Sequence, residues 1–561
     1  MKKPFKRYYR KYQNNNGNIE IINDMAVICP DCRKEILNSS MDKNNYICSH
    51  CGYYFSLTPK KRIRLIVDKD SFIELDYKGN SRDPLKFQGY EEKIHKARGI
   101  TNTYDAIVIG TARIKGMPCV LGVLDSRFIM GSMGTIVGEI IKNAATVACD
   151  KKIPFIIYTA SGGARLQEGV FSLMQMTKTV AAFEMMNQNN ILSIVVMTNP
   201  TTGGVSASFA SLGDITLAEP NAIIGFAGKK VIKNTIKEDL PEGFQTSEFL
   251  FEHGHIDAIV KRNDQRDYLA KVLEFACENV NINKETNLDK YRKKIMGRIQ
   301  NVDLIKTLEL VRKEKRPTSL DYIEGLVDNF VEIRGDKIYK DDRAMIAGLG
   351  TFKGQSVVVI GHQRGRNLEE NLKNNFGMPH PSGFHKAIRA IKLADKMKVP
   401  IITFVDTKGA DPSANSEATN QSYAIAKCIE TMISASVPII SIIIGEGGSG
   451  GALALASANV ILMLENSIFS VISPEGAATI LWKDATKVEN AMAALKITSW
   501  DLKQFGIVDE IIPEIEADAS VNKKAQILII DKYISAYLSK LNKCSRDELL
   551  KQRINKYNCI V

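Results

Sequence analysis

The reading of this chain turns on ILSIVVMTNPTTGGVSASFASL, Ile191 to Leu212. Its first third is apolar and β-branched and reads as a buried strand. Thr198 to Thr202 reads as a turn. The glycine pair Gly203-Gly204 follows, and the small residues Val205 to Ala210 read as the start of a tightly packed helix. The first N–H groups of a helix have no partner of their own, and glycine lets a ligand come close to them. Such an arrangement either closes a plain strand–helix turn or cradles an anion, and one copy alone does not decide between the two.

A second copy does. Ile153 to Ala164 (IPFIIYTASGGA) matches Val399 to Ala410 (VPIITFVDTKGA), and each follows a helix rich in small residues, 138–150 and 383–396. Ile191 to Phe209 matches Pro438 to Leu455 (PIISIIIGEGGSGGALAL), with Gly447-Gly448 and Gly450-Gly451 as glycine pairs. Thirty-nine positions separate Ala164 from Gly203, and forty separate Ala410 from Gly450. Two β-rich runs follow each pair, and the halves close alike on His253 to Val260 and Phe505 to Ile512. Four segments in one order at nearly one spacing indicate a duplication. Strands alternating with helices give each half an α/β body with parallel βαβ units. Two cradles can stabilise two oxyanions. No Ser-His-Asp or Cys-His set and no carboxylate pair is legible. Chemistry that polarises two carbonyls with little side-chain acid/base work, such as enolate formation on a thioester, fits this.

Around the duplication the chain is ordinary for a soluble protein of 561 residues. No apolar run is long enough to span a bilayer, and Met1 to Arg7 lacks the apolar core of a signal peptide, so a cytoplasmic location is expected. Residues 1–25 read as a flexible basic arm. Cys29, Cys32, Cys48 and Cys51 form CxxC–x15–CxxC over 26–57, the spacing of a zinc ribbon whose four thiolates leave no position open for water. That makes the ion structural. His50 is read as a bystander, and Cys119, Cys149, Cys277, Cys428, Cys544 and Cys559 suggest no disulfide framework. A β-hairpin is expected over 106–124. The parsing is a first α/β domain over 58–275, a helical linker over 276–320, a second α/β domain over 321–515 and a C-terminal helical segment over 516–561. The net charge of +12, with basic clusters in Lys2–Lys11, Lys290–Arg298 and Arg312–Arg316, suits phosphorylated cofactors or nucleic acid where it is not merely solvated surface.

The first half resembles the β subunit of bacterial acetyl-CoA carboxylase carboxyltransferase. The carriers are the four-cysteine ribbon, Ser161 to Gly169 (SGGARLQEG), Thr201 to Ala210 (TTGGVSASFA) and Leu240 to Phe249 (LPEGFQTSEF). The second half resembles the α subunit through Arg316 to Tyr322, Asn375 to Pro379, Gly445 to Ala454 and Ser473 to Gly476. The resemblance covers nearly the whole chain and implies a β–α fusion: two crotonase-like (ββα-spiral) domains in tandem behind the ribbon. It implies carboxyl transfer from carboxybiotin, carried on a biotin carboxyl carrier protein charged by an ATP-using biotin carboxylase, to acetyl-CoA, giving malonyl-CoA for fatty-acid synthesis. One oxyanion hole would serve the acyl thioester and the other the biotin ureido oxygen, with the emptied biotin nitrogen taking the α-proton. Carried over by motif, Gly203, Gly204, Gly450 and Gly451 supply the holes, and Cys29, Cys32, Cys48 and Cys51 hold Zn2+. Acyl and biotin sites are expected to meet between β-type and α-type domains of the assembled particle, with at least a homodimer of the fused chain.

Gly162, Gly163, Gly447 and Gly448 are substrate-binding candidates. Arg165 reads either as a partner for a CoA phosphate or the transferring carboxylate, or as a structural ion pair. His362, His380 and His385 read as surface or packing residues. The chain departs from the family at Lys408, Asp411 and Ser413, where Pro, an aromatic and Gly are expected, and at Lys229-Lys230, where Pro-Arg is expected. Competing readings are a propionyl-CoA carboxyltransferase, a biotin-independent crotonase-like decarboxylase or hydratase, and a zinc-ribbon nucleic-acid binder. The last leaves the duplicated cradles unexplained.

Overall fold

A computed structural model gives the structure of residues 5–13, 19–77, 83–227, 232, 240–276, 280–296, 298 and 302–560, with side chains from 26 onward. The chain forms two units. The first comprises Met1–Phe251 with Ala258–Ala270, the second Glu252–Asp257 with Lys271–Val561.

The first unit begins with a three-stranded antiparallel sheet, β1 (Phe5–Gln13), β2 (Ile19–Ile28) and β3 (Glu35–Leu37). The stretch expected to be a flexible arm is therefore strand: β1 and β2 pair from Phe5 opposite Val27 to Gln13 opposite Ile19. The Asn-rich run that suggested an arm, 14–18, lies outside the described residues.

The body of this unit is an eight-stranded sheet. Its strands are β4 (Ile73–Glu74), β5 (Ile107–Ile114), β6 (Met117–Leu124), β7 (Phe155–Ser161), β8 (Ser193–Thr202), β9 (Ile215–Ala218), β10 (Ile224–Gly225) and β11 (Ala258–Ile259). They lie in the order β11-β9-β8-β7-β6-β5-β4, with β10 beside the end of β8. The expected hairpin is β5–β6, antiparallel from Ile107 opposite Leu124. From β6 onward the pairing is parallel. Its helices include α1 (Pro59–Ile66), α2 (Thr135–Lys151) and α3 (Val170–Gln188). The β7 and β8 runs are buried almost throughout, which is why their sequences are apolar without alternation.

The second unit repeats the plan. Strands β12 (Asp328–Glu332), β13 (Met345–Phe352), β14 (Gln355–His362), β15 (Ile401–Thr407), β16 (Ile439–Gly448), β17 (Val460–Leu464), β18 (Ile468–Ser470) and β19 (Glu510–Ile512) lie in the order β12-β13-β14-β15-β16-β17-β19. Here β18 sits beside β16 as β10 does beside β8. Its helices include α4 (Leu304–Arg312), α5 (Pro381–Met397), α6 (Gln421–Ser434), α7 (Ser449–Ala456), α8 (Lys523–Leu541) and α9 (Arg546–Asn558).

Two boundaries differ from the sequence reading. The C-terminal helical segment is not an appendage, because Ile527, Ile530, Tyr533, Ile534, Leu538 and Leu549 pack into one core with Ile440, Ile442 and Ile444 of β16. The expected linker also belongs to this unit. Arg312 of α4 pairs with Glu446 at 3.0 Å and Glu475 at 2.5 Å, and the buried Arg316 pairs with Glu514 at 2.7 Å. Polar composition suggested a tether, but its charges close internal pairs. The basic cluster Arg312–Arg316 is spent in the same way, with Lys313 on Asp518 at 2.6 Å.

Candidate active site

Each cradle is built where two neighbouring parallel strands end. In the first unit β7 and β8 run in register from Phe155 opposite Ser193, shift at a bulge, and meet again at Ser161 opposite Thr201. Ser161 Oγ accepts the Gly163 N–H at 3.0 Å, which turns the chain back on itself. Gly163 has φ +115° and Gly203 has φ +64°, backbone that L side chains rarely adopt. The two glycines back onto each other. A Cβ on Gly203 would stand 3.0 Å from Gly163 Cα, and one on Gly163 would stand 3.2 Å from Gly203 Cα.

The second unit reproduces this at a constant spacing. β15 and β16 start at Ile401 opposite Ile439, shift, and meet at Thr407 opposite Gly447. Thr407 Oγ1 accepts the Gly409 N–H at 3.1 Å, in the role of Ser161. Phe155 and Ile401, Ser193 and Ile439, Ser161 and Thr407 are all 246 positions apart. The same step carries Met130 (φ +57°) onto Phe376 (φ +53°) and Lys152 (φ +51°) onto Lys398 (φ +56°). It also carries Gly203 onto Ser449, whose φ is +54°. The register thus corrects the sequence alignment by one residue. Ser449-Gly450, not Gly450-Gly451, stands where Gly203-Gly204 stands, and Val205 corresponds to Gly451. The one-residue excess came from aligning glycine to glycine.

The two cradles offer N–H groups differently. Gly203 N–H is committed, to the Gly225 carbonyl at 3.1 Å and the Phe226 carbonyl at 2.9 Å. Among the described residues no hydrogen bond uses the N–H of Gly204 or of Ala164. Ala164 N lies 3.5 Å from where a Cβ on Gly204 would be, so these two donors share one wall. Gly203 is therefore corrected from donor to hinge. In the second cradle Ser449, Gly450 and Gly451 form the first turn of α7, where N–H groups lack intrahelical acceptors. Ala410 N is likewise unbonded among the described residues and lies 2.5 Å from the Cβ position of Gly451. The sequence reading missed Ala164 and Ala410 as donors, although both close the matched segments.

The expected helix after Gly204 does not form. Residues 203–208 are turns, followed by a short 3-10 helix at Phe209–Ser211. The hydroxyls explain it. Ser206 Oγ donates to the Gly203 carbonyl at 2.9 Å, Ser208 Oγ to the Gly204 carbonyl at 2.6 Å and Ser211 Oγ to the Ser206 carbonyl at 2.7 Å. Such local bonds compete with the helical ladder. GGALALA has no hydroxyl and makes α7. Thr198–Thr202, expected as a turn, is the end of β8, where β10 supplies partners at Thr201 and Thr202.

Among the substrate-binding candidates, Arg165 is corrected. It is 1% exposed, and its guanidinium donates to Asp105 at 2.6 and 3.1 Å, Ser132 Oγ at 3.2 Å, the Ser132 carbonyl at 2.8 Å, Tyr90 Oη at 3.2 Å and Glu168 at 3.4 Å. Its five N–H donors are all engaged, so none is left for a ligand. It is the structural pair of the two readings. Gly447 and Gly448 are buried in β16 and act by closeness, since a Cβ on Gly448 would stand 2.1 Å from the Lys408 carbonyl. Gly162 donates its N–H to the Met130 carbonyl at 2.9 Å, and Gly163 forms the turn described above.

Lys408 is exposed at the rim of the second cradle, where the repeat places Gly162 in the first. Asp411 is buried and accepts from Ser416 Oγ at 2.7 Å, Asn375 Nδ2 at 2.8 Å and both the N–H and hydroxyl of Ser413. Burial raises its pKa, but these donors outweigh it and hold the carboxyl at about 2. The departures Asp411 and Ser413 therefore form one another's partners and order the loop. Lys229 and Lys230 lie outside the described residues. His380 is half-buried, 3.6 Å from Asp342 and 3.8 Å from Asp411, and His385 is half-buried on α5.

Cys29, Cys32, Cys48 and Cys51 converge, all four Sγ atoms lying within 4.8 Å of one another. Sγ–Sγ distances of 3.7 Å (Cys29–Cys51) and 3.8 Å (Cys32–Cys48) are far too long for disulfides. They match the edge of about 3.8 Å expected for a tetrahedron with metal–sulfur bonds of about 2.3 Å. The thiolate set can hold a metal ion. The ribbon is tied to its unit by Arg262, which donates to the Asn45 and Tyr46 carbonyls at 3.0 and 3.1 Å and to Glu219 at 2.7 Å. Glu219 also takes Arg62 at 2.7 Å. Burial raises the Glu219 pKa, but the two guanidiniums outweigh it and hold the carboxylate at about 2.

A repeated sheet whose parallel strands end in loops with uncommitted backbone donors, together with a four-thiolate set, defines a duplicated α/β body built to hold two oxyanions. The family model for acetyl co-enzyme A carboxylase carboxyltransferase-like proteins matches residues 256–561. The acetyl-coenzyme A carboxylase carboxyl transferase subunits beta/alpha of Clostridium tetani is 46% identical over 540 residues, 95% of this chain and 92% of that one. Its counterpart in Natranaerobius thermophilus is 44% identical over 550 residues, 95% and 90% of the two chains. Among solved structures, transcarboxylase 12S with methylmalonyl-coenzyme A and methylmalonic acid bound superimposes with a TM-score of 0.70 at 21% identity, covering 87% of this chain and 90% of that one. The chain belongs to the acetyl-CoA carboxylase carboxyltransferase family, in its form that joins β and α parts. Its two tandem α/β domains are of the crotonase-like type. Among the described residues no helix is long and apolar enough to cross a membrane.

Proposed function

We propose that this chain moves the carboxyl group of carboxybiotin, borne by a biotin carboxyl carrier protein, onto acetyl-CoA to give malonyl-CoA, the first committed step of fatty-acid synthesis. The observation that carries the reading is the duplicated cradle, with N–H donors that are uncommitted among the described residues at Ala164 and Gly204 in one unit and at Ala410, Gly450 and Gly451 in the other. Removing an α-proton from a thioester puts negative charge on its carbonyl oxygen, and fixed backbone donors stabilise that charge without reorganising. One cradle serves the thioester oxygen and the other the ureido oxygen of biotin. No side-chain base is assigned. His362 is sealed from solvent, and the Arg165 ion-pair network is closed on itself.

The four thiolates would hold zinc as a structural ion, since a full tetrahedral set leaves no site for water. The biotin carboxylase that charges the carrier, a homodimer of the fused chain and a cytoplasmic setting belong to the same proposal. The test is carboxyl transfer from carboxylated carrier to acetyl-CoA and to propionyl-CoA. Faster turnover of acetyl-CoA supports the reading, and preference for propionyl-CoA moves the substrate. Malonyl-CoA decarboxylation that proceeds without biotin refutes the transferase reading.

A further inference from the structure

The group that this chain moves is itself an anion. In carboxybiotin the carboxylate is bonded to the nitrogen beside the ureido carbonyl, and in malonyl-CoA to the carbon beside the thioester carbonyl. Whichever carbonyl the second cradle holds, a single atom separates that carbonyl from the carboxylate before or after transfer. Backbone N–H groups aimed at the carbonyl oxygen leave the carboxylate charge unanswered, and a cation at the rim of the cradle answers it.

The arginines that could do so are spent. Arg165 is closed on Asp105, Arg312 on Glu446 and Glu475, Arg316 on Glu514, and Arg364 on Asp406 at 2.9 Å. Lys408 differs. It is exposed, and among the described residues no hydrogen bond or ion pair uses its Nζ. The acid within electrostatic reach of it is Glu475, whose two oxygens Arg312 already holds at 2.5 and 3.1 Å. The Lys408 backbone is fixed beside the donors. Thr407 Oγ1 accepts the Gly409 N–H at 3.1 Å and donates to the Gly409 carbonyl at 2.6 Å, which closes the loop around Lys408. The Lys408 carbonyl oxygen lies 2.1 Å from the Cβ position of Gly448, the residue before α7, and the N–H of Ala410, uncommitted among the described residues, follows two positions on. The first cradle carries no such charge, because the step of 246 positions sets Gly162 there.

We propose that Lys408 binds the transferring carboxylate at the second cradle, its ammonium meeting that charge while the Ala410, Gly450 and Gly451 N–H groups hold the neighbouring carbonyl oxygen. This rests on reading the cradles as the carboxyl-transfer site. The lysine moves no proton. It favours the carboxylated form of a substrate over the same substrate without its carboxylate, and it does so by charge, so the preference is screened by salt.

The test measures the Kd of malonyl-CoA and of acetyl-CoA, which differ by this carboxylate, for the full chain, Lys408→Gln and Lys408→Arg without biotin, with thermal melting of each. The expected result for Lys408→Gln is a loss of about five- to tenfold for malonyl-CoA, with acetyl-CoA affinity kept within about twofold and the melting temperature unchanged. Lys408→Arg keeps most of the malonyl-CoA affinity, and the gap between wild type and Lys408→Gln narrows as salt rises. Wild-type malonyl-CoA affinity in Lys408→Gln overturns the proposal. So does an equal loss for both thioesters, which marks a contact to the CoA phosphates, and so does a lowered melting temperature, which marks a structural role. Malonyl-CoA turnover by wild type with and without biotin separates the two claims. Biotin-dependent turnover beside an unaffected Lys408→Gln sinks only this inference, whereas biotin-independent turnover removes the transferase reading and this inference with it.

Discussion

The two cradles share a register and part company one residue later. Up to Thr202 and Gly448 they are the same object: a bulged parallel pair, a hydroxyl catching the loop N–H two residues on, and a left-handed residue at position 203 or 449. Beyond that point the first unit continues in hydroxyl-braced turns and the second in α7. The left-handed position itself differs. Gly203 is jammed against Gly163, whereas the nearest atom to a Cβ on Gly409, the counterpart of Gly163, is the Gly448 carbonyl oxygen at 3.9 Å. The looser packing tolerates the side chain of Ser449. A cradle is thus specified by strand ends and loop closure, and the element after it is set by whether the next residues carry hydroxyls.

The largest expected effect concerns the four-thiolate set of the first unit, which can hold a metal ion. Stripping the ion with a chelator, or Cys29→Ser, should unfold the ribbon at 26–57 because structural zinc sites carry about 10–16 kcal/mol of binding energy at neutral pH. Circular dichroism and metal analysis would record it. The core packing around β16 in the second unit should survive, and its collapse would break the picture of two separately built bodies.

Next comes Glu219, the anchor between ribbon and sheet in the first unit. Glu219→Gln leaves Arg62 and Arg262 buried without their counter-charge and should destabilise that unit by about 3–5 kcal/mol in urea titration. The pH dependence has a definite sign. Because the folded pKa of about 2 lies below the ordinary value of 4.5, the stabilisation is complete above about pH 4.5 and is lost as pH falls toward 2. Wild type should weaken over that window and the variant should weaken less. Parallel curves would mean that the pair contributes nothing.

The smallest effects come from exchanging the left-handed residues. Gly203→Ser places a Cβ 3.0 Å from Gly163 Cα and adds about 1–2 kcal/mol of backbone strain. Thermal melting should fall accordingly, and the shift in the loop should lower turnover. Ser449→Gly relieves the same backbone penalty at an uncrowded site, so its stability should stay within about 1 kcal/mol of wild type. Equal effects from the two exchanges would contradict the difference in packing.

Much of this was legible in the sequence. The duplication, the hairpin, the buried strands and the four-thiolate set all follow from periodicity and spacing. What was not legible depended on partners distant in the chain. Arg165 stays open between a ligand-binding arginine and a structural ion pair until Asp105, Tyr90 and Ser132 fold around it. Arg312 and Arg316 read as basic surface because Glu446 and Glu514 are more than a hundred residues away. The one-residue error in matching the glycine pairs arose because glycine was taken as the signature, whereas the conserved feature between the halves is a backbone conformation that Ser449 also adopts.

The central claim is that bare backbone at the strand ends does the chemistry, and Gly204 tests it most directly. Its φ is ordinary, so a side chain adds bulk and not strain: a Cβ there meets Met176 Sδ at 3.2 Å and Ala164 Cβ at 3.4 Å, beside the uncommitted N–H groups. The measurement is carboxyl transfer from carboxylated carrier to acetyl-CoA by Gly204→Val, with circular dichroism and zinc content read on the same preparation. The account predicts a loss of about a hundredfold to a thousandfold in kcat with folding and zinc unchanged. Wild-type turnover in a folded, zinc-replete Gly204→Val would contradict it.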